Sequence, residues 1–323
     1  MVSCDSPQWQ LGEEQPIRGE SRTMFSTGPF CFQQTHRAVN TIKPAKHSRR
    51  EIADSIVARF DAGTIEDARS RFNSSTTTPW FMVDDLLPAH MAHDIRASFP
   101  DPSQMYERRT LRERKHVTSQ MDRHDPQGEE ALFAFHDERV VDIIHRITSL
   151  PMLHADPKLY AGGLSLMTHG NFLNPHLDNS HNDDRSEYRV LNLLYYVSPG
   201  WSVPSGGHLE LWPDGVKGAP LTINSLFNRL VVMSTGPESW HSVSSVVSTE
   251  RRCCVSNYYF SPEPIGGKPY FRVTRFRGRP EQPLRDLYLR MDAGLRGGIR
   301  KLFPAGVVKS KHIYERKEGH SEK

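Results

Sequence analysis

Apolar positions divide the chain into a weakly patterned first quarter, a helical stretch, a long run of short strands and a helical tail. Residues 1–79 show little periodicity, except that Ile52, Ile56, Val57 and Phe60 recur at helical spacing and predict a helix from Arg49 or Arg50 to Asp61. The rest of that segment is expected to be partly disordered. Residues 80–83 read as a short strand, and Leu87-Pro88 opens a helix carrying Met91, Ile95 and Phe99 on one face. Leu132, Phe133, Val140, Ile143, Ile144 and Ile147 suit an amphipathic helix or helix pair that buttresses a sheet. From Tyr160 onward, apolar runs at 164–167, 190–197, 208–212, 230–233 and 253–260 are separated by turn clusters such as Ser198-Pro199-Gly200 and Pro213-Asp214-Gly215. Many short strands of this kind predict a mainly β fold with flanking helices, as a sandwich, barrel or jelly roll. After Pro264, Leu284, Leu287, Tyr288, Met291, Leu295, Ile299 and Leu302 fall on one helical face, predicting a C-terminal helix packed on the domain. The expected organisation is an N-terminal extension at 1–79, a domain at 80–263 with its core at 160–262, and a helical extension at 264–323.

At 323 residues and 37% hydrophobic content, the chain can bury a full core. Its net charge of +3 gives no field strong enough to predict a nucleic-acid or membrane partner, and neither is expected. The charge is uneven, however. Residues 264–323 hold 15 Lys and Arg against 6 Asp and Glu, so the body before them is net acidic. The Arg-rich face of the tail helix is read as a solvated surface. Cys4, Cys31, Cys253 and Cys254 show no paired spacing, which suits a reducing compartment. The first twenty residues lack the apolar stretch of a secretory signal, and no run approaches the ~18 apolar residues of a membrane span. A soluble, cytoplasmic protein is therefore expected.

Three His-x-Asp triplets occur, at His154-Ala155-Asp156, His176-Leu177-Asp178 and His181-Asn182-Asp183. Two imidazoles and a carboxylate on neighbouring strands can hold three positions of an octahedral ferrous ion and leave three open. Residues i and i+2 of a strand point to the same side, so a triplet at a strand end can aim both ligands at one ion. His176 and Asp178 lie between two predicted strands, whereas His181 lies in a polar loop and His154 precedes the sheet region. His241 follows the 230–233 strand after the turn Ser234-Thr235-Gly236-Pro237 and is the candidate third ligand, with Trp240 beside it as a shield from water. A lone His next to Trp is more often a packed, hydrogen-bonded residue than a ligand, so His241 gains its weight from the upstream pair. His208 and Glu210 are expected to face a substrate pocket or solvent. Zinc is the rival metal, but Cys253-Cys254 lacks the spacing by which two thiolates chelate one ion.

The order His176-Leu177-Asp178-Asn179, Leu194-Tyr195-Tyr196-Val197-Ser198, Gly206-Gly207-His208-Leu209-Glu210-Leu211, His241 and Arg252 through Tyr259 resembles the catalytic domain of prolyl 4-hydroxylase-like 2-oxoglutarate/Fe(II)-dependent dioxygenases. The resemblance covers roughly residues 160–262, with weaker similarity back to Trp80. It implies a double-stranded β-helix (jelly-roll) core, iron on His176, Asp178 and His241 as the catalytic centre, and 2-oxoglutarate and O2 as cosubstrates, with ascorbate an additional candidate. The far carboxylate of 2-oxoglutarate is implied to meet Arg252, with Arg251 the runner-up, aided by the hydroxyls of Tyr196 and Ser256. A guanidinium suits that task because its planar fork meets a carboxylate through two parallel hydrogen bonds. Where oxygen-sensing relatives place a tyrosine before the first ligand, this chain has Leu166-Met167, and the loop 179–188 is longer and more charged.

The implied reaction is hydroxylation of an aliphatic C–H of a prolyl or other amino-acid residue or a small metabolite, with succinate and CO2 as coproducts. Halogenating relatives give up the carboxylate ligand, so Asp178 favours hydroxylation. A non-catalytic metal-binding jelly-roll module is the alternative, and Arg252 discriminates, because such a module has no need of a carboxylate clamp. A nucleic-acid demethylase using the basic tail is disfavoured by the few aromatics interleaved there, Tyr270, Phe271, Phe276 and Tyr288.

Overall fold

Period-two alternation, which splits a strand's side chains between two faces, organises the structure. The computed structural model describes residues 44–75, 77–302 and 313–316. Helices α1 (Arg49–Arg59) and α2 (Ala62–Asn73) come first, followed by strand β1 (Trp80–Val83), helix α3 (Ala89–Ala97) and the hairpin β2 (Tyr106–Arg109) and β3 (Glu113–Thr118). Helices α4 (Pro126–Ala134) and α5 (Glu138–Thr148) lead to a short β4 (His154–Ala155). Then come β5 (Gly163–Met167), β6 (Phe172–Leu177), β7 (Tyr188–Tyr196), β8 (Leu209–Leu211), β9 (Leu221–Ile223), β10 (Arg229–Ser234), β11 (His241–Val243) and β12 (Arg252–Ser261). Strand β13 (Arg275–Phe276) and helix α6 (Pro283–Leu302) close the described chain apart from residues 313–316.

Strands β5, β12, β7 and β10 neighbour one another in that order, and β6, β11, β8 and β9 do so in a second group, all antiparallel. Between β5 and β12 the chain steps from one group to the other at every connection except β8 to β9. That winding is the double-stranded β-helix, or jelly roll. Strand β3 bonds both β5 and β6 and so joins the two groups along one side, while β1 extends the first group beyond β10.

Alternation then sorts the core. Leu230 and Val232 of β10 face the helices, whereas Val231 and Met233 face Leu209, Leu211 and Ile223 of the second group. Cys253 and Cys254 obey the same rule, one in each cluster, and both are free thiols. Cys4 and Cys31 lie outside the described residues.

Two expectations need correction. The folded unit begins before Trp80, because Ile52, Ala53 and Ile56 of α1 and Ile65, Ala68 and Phe72 of α2 belong to the main core. Local signals support both helices: Ser48 and Glu51 form a capping box, and the Asp61 carboxylate accepts from the Thr64 N–H. The tail helix exists, but the face predicted to pack does not. Leu284, Leu287, Tyr288, Met291 and Leu295 are exposed, and Leu289 is the fully buried side chain instead. Tyr314, further along the tail, donates its hydroxyl to Glu129 at 2.7 Å and stacks near Phe133. Among the described residues no helix is long and apolar enough to cross a membrane.

Ile56→Ala should lower stability by about 2–5 kcal/mol, the cost of a core cavity, with Leu287→Ala near neutral; urea unfolding of the two variants checks the boundary. A second expectation concerns pH. Burial lowers His136 from 6.5 to about 4 where its ring bonds Asn257 of β12. The unfolded chain therefore binds that proton more readily, so this residue costs stability as pH falls from 6.5 toward about 4. Unfolding midpoints should decline less steeply across that window in His136→Gln than in the parent.

Candidate metal centre

Antiparallel register brings the two candidate imidazoles together: His241 of β11 sits opposite His176 of β6, with ring centroids 4.1 Å apart. Asp178, the first residue but one after His176 and just beyond the end of β6, turns to the same point. Its Oδ1 lies 3.6 Å from His176 Nε2 and its Oδ2 3.8 Å from His241 Nε2. All three side chains are buried, and one donor atom from each lies within 4.8 Å of the others.

Hydrogen bonding fixes which nitrogens face inward. His176 Nδ1 meets the Asn174 carbonyl at 3.0 Å, and His241 Nδ1 meets the Ser239 carbonyl at 2.9 Å. A carbonyl can only accept, so each Nδ1 carries the proton and each Nε2 presents a lone pair to the shared point. Burial, reinforced by His241, holds His176 down at about 3, and burial likewise lowers His241. Burial alone would raise Asp178, but His241 and the guanidinium of Arg189 outweigh it and keep the carboxyl below its ordinary value. At neutral pH the three groups are in their ligating forms. Asp178 Oδ2 has no hydrogen-bond partner among the described residues, the condition expected of an atom whose natural partner is a cation. Two neutral imidazoles and one carboxylate therefore fit a divalent ion.

Arg272 braces this arrangement from the tail. It donates through Nε to the Asp178 carbonyl at 2.9 Å, and through its two Nη atoms to the carbonyls of Pro237 and Gly236 at 2.9 and 3.1 Å. One guanidinium thus ties the Asp178 backbone to the turn that delivers His241. Phe276, opposite His176 across β13 and β6, stacks on its imidazole at 5.0 Å.

The three residues open onto a cavity of about 410 Å³. Alternation aims Arg252, Cys254, Ser256 and Tyr258 of β12 into it. Arg252 is 3% exposed, its Nη1 approaches the Met167 sulfur at 3.6 Å and its Nη2 the Ser225 hydroxyl at 3.4 Å, and its Nε has no hydrogen-bond partner among the described residues. No described carboxylate pairs with it. Its guanidinium instead lies 4.8 Å from the Tyr196 ring centroid, and the Tyr196 hydroxyl meets the hydrogen-bond geometry with no described residue. Gly207 makes room for the arginine stem: at φ +65°, an added Cβ there would lie 2.8 Å from Arg252 Cδ. Arg251 points away and pairs with Asp101 at the surface, at 3.0 Å.

Several other expected residues lie elsewhere. His208 is buried, accepts from the Ser225 N–H and bonds the Val203 carbonyl, and Glu210 pairs with Arg279, so neither faces the cavity or solvent as expected. Trp240 does not line the cavity either; Phe276 covers His176 in its place. His154 pairs with Glu187, and His181 bonds Ser180.

Arg189 was not foreseen. Strict alternation along β7 would send it outward, but pairing with β12 skips Val190, since Leu191 faces Tyr259 and Arg189 faces Phe260. This bulge reverses the parity. Arg189 consequently enters the cavity, 3.9 Å from Asp178 Oδ2 and 4.2 Å above the Tyr258 ring.

Residues 162–260 match the sequence profile of the 2OG-Fe(II) oxygenase superfamily. This segment is a 2OG-Fe(II) oxygenase domain. Over 94 residues the chain is 33% identical to the prolyl 3-hydroxylase OGFOD1 of Mus musculus, a stretch covering 28% of this chain and 17% of the relative's length. Among solved structures it is similar to a Pseudomonas putida prolyl-4-hydroxylase, at 17% identity and a TM-score of 0.44 over 59% of this chain and 97% of that one. It is also similar to a Trichoplax adhaerens prolyl hydroxylase in complex with a hypoxia inducible factor peptide fragment, at 16% identity and a TM-score of 0.44 over 62% and 94% of the two chains. The oxygenase domain ends at β12, and the tail beyond it supplies Arg272 and Phe276 to the site.

Because Arg272 holds both ligand-bearing segments, Arg272→Gln should weaken Mn(II) binding about 10–100-fold while leaving the fold in place. Calorimetric titration of the metal beside the parent, together with far-ultraviolet circular dichroism, checks this.

Proposed function

We propose that the protein is a hydroxylase that uses Fe(II), 2-oxoglutarate and O2 to hydroxylate an aliphatic C–H of a prolyl or other amino-acid residue or of a small metabolite, releasing succinate and CO2. The single observation that carries this reading is Arg252. A guanidinium 3% exposed, with no carboxylate partner among the described residues, costs several kcal/mol unless an anion joins it. It stands in the same cavity as the His176, Asp178 and His241 cluster. A metal-binding module without turnover has no use for such a cation.

In this reading His176, Asp178 and His241 hold the iron, and Arg252 receives the far carboxylate of 2-oxoglutarate through its fork. Ferrous iron bound there supplies the oxygen activation that couples 2-oxoglutarate decarboxylation to C–H hydroxylation. Ser256, on the same face of β12, and the free hydroxyl of Tyr196 offer further donors to the cosubstrate. Of Leu166-Met167, which stand where oxygen-sensing relatives offer a tyrosine, Met167 lines the cavity and its sulfur lies 3.6 Å from Arg252 Nη1. Phe276 and Leu173 supply apolar wall on the metal side and limit water. Arg189, held over Tyr258, keeps Asp178 ionised and oriented.

Anaerobic addition of Fe(II) and then 2-oxoglutarate should produce a visible charge-transfer band, and admission of air should convert 2-oxoglutarate to succinate. Arg252→Gln should need at least about tenfold more 2-oxoglutarate for the same band, since a charge-assisted pair is lost. Iron binding with no response to 2-oxoglutarate in the parent would return the chain to the metal-binding module.

A further inference from the structure

Alternation along β7 turns Asn192 and Leu194 toward the cavity and sends Leu191 and Leu193 into the main core. Asn192 belongs neither to the metal centre nor to the carboxylate clamp at Arg252. It is 4% exposed, and its Oδ1 has no hydrogen-bond partner among the described residues. Its Nδ2 bonds the Tyr258 hydroxyl at 3.3 Å, across the register that sets the two residues opposite each other on β7 and β12. A buried carboxamide oxygen without a donor is costly to keep, and it marks a place where a ligand can supply the missing hydrogen.

The two side chains together define what that ligand offers. Tyr258 accepts from Asn192 Nδ2, so its own hydrogen is available to an acceptor in the cavity, while Asn192 Oδ1 beside it takes a donor. Turning the carboxamide over exchanges the two roles and again leaves one donor and one acceptor. An N–H next to a C=O is complementary to such a pair. Arg189 connects the pair to the metal centre, 4.2 Å above the Tyr258 ring and 3.9 Å from Asp178 Oδ2. With that guanidinium answered by the Asp178 carboxylate, a neutral group fits beside it better than a second anion. Position separates the pair from the cosubstrate, because Tyr258 stands six residues from Arg252 along β12, about 20 Å of strand and far more than a five-carbon dicarboxylate spans.

We infer that Asn192 and Tyr258 form a substrate subsite that reads an amide, with Asn192 Oδ1 accepting the amide N–H and the Tyr258 hydroxyl donating to its carbonyl. That the amide belongs to a substrate rests on the hydroxylase reading; that an amide is recognised rests on the pair alone. Asn192 is then a specificity-determining residue, because a molecule without the N–H leaves its buried oxygen unpaired, and sites built to hydrogen-bond a group reject analogues that lack it. A prolyl nitrogen within a chain carries no hydrogen, so a prolyl target presents the N–H of the residue that follows it.

The test is saturation-transfer NMR on the full chain with N-methylpropionamide as the probe. Methyl propionate, which keeps the carbonyl but lacks the N–H, and propionate serve as comparators. The amide should take up at least about fivefold more saturation than either, and that advantage should vanish in Asn192→Leu and in Tyr258→Phe. Tyr258→Phe removes a single oxygen and carries the test by itself if circular dichroism shows Asn192→Leu unfolded. Amide and ester saturated alike, a preference for propionate, an advantage that survives in either folded variant, or no saturation of the amide overturns the proposal. The hydroxylase reading fails separately, through the absence of a 2-oxoglutarate response in the anaerobic iron titration, which uses neither the probe nor these variants.

Discussion

The site depends on one constraint, the register between β6 and β11 that sets His241 opposite His176. Neither imidazole is held by the ion it would bind. Each is held by a backbone carbonyl two residues before it, Asn174 for His176 and Ser239 for His241. The two imidazoles are thus oriented by the same backbone that forms the strands, and a slip of one residue would turn His176 out of the cavity. Arg272 extends this logic by tying Asp178 to the turn before His241.

Electrostatics make the cavity a place for ions of both signs. On one side lie two neutral imidazoles and an ionised carboxylate with one oxygen that no described residue hydrogen-bonds, which ask for a cation. On the other lies Arg252, a buried cation with no acid to answer it among the described residues, which asks for an anion. Cation and anion sharing one water-poor space is the requirement of a metal-chelating, dicarboxylate cosubstrate. Glu113 shows the contrast, because burial would raise it, yet Lys115 and Arg108 hold it at about 2, a closed ion cluster that needs no ligand.

Much of this was legible in the sequence, for identifiable reasons. The apolar run at 253–260 marked the strand that Arg252 opens, and the spacing His176-x-Asp178 is local, whereas the three-residue strand that carries His241 was too short to read. Strand β6 was less visible, because Asn174-Pro175-His176 interrupts its apolar pattern and its strand character comes from pairing with β3, β11 and β13. The hairpin β2 and β3 hid behind its charges, since Glu113 and Lys115 face the cavity rather than an apolar core. Arg189 was concealed by a bulge, which no alternation rule anticipates. Arg272 and Phe276 stood beyond the expected end of the domain. The tail helix shows the reverse error, in that its apolar periodicity was real but its direction was not, as periodicity cannot say whether a stripe meets the body or something outside it.

The most direct test of the central claim is anomalous diffraction at the manganese edge from crystals grown anaerobically with Mn(II) and 2-oxoglutarate. The account predicts one manganese peak bonded to His176 Nε2, His241 Nε2 and an Asp178 oxygen, with the far carboxylate of 2-oxoglutarate on Arg252. Manganese bound elsewhere, or a carboxylate seated away from Arg252, would contradict it.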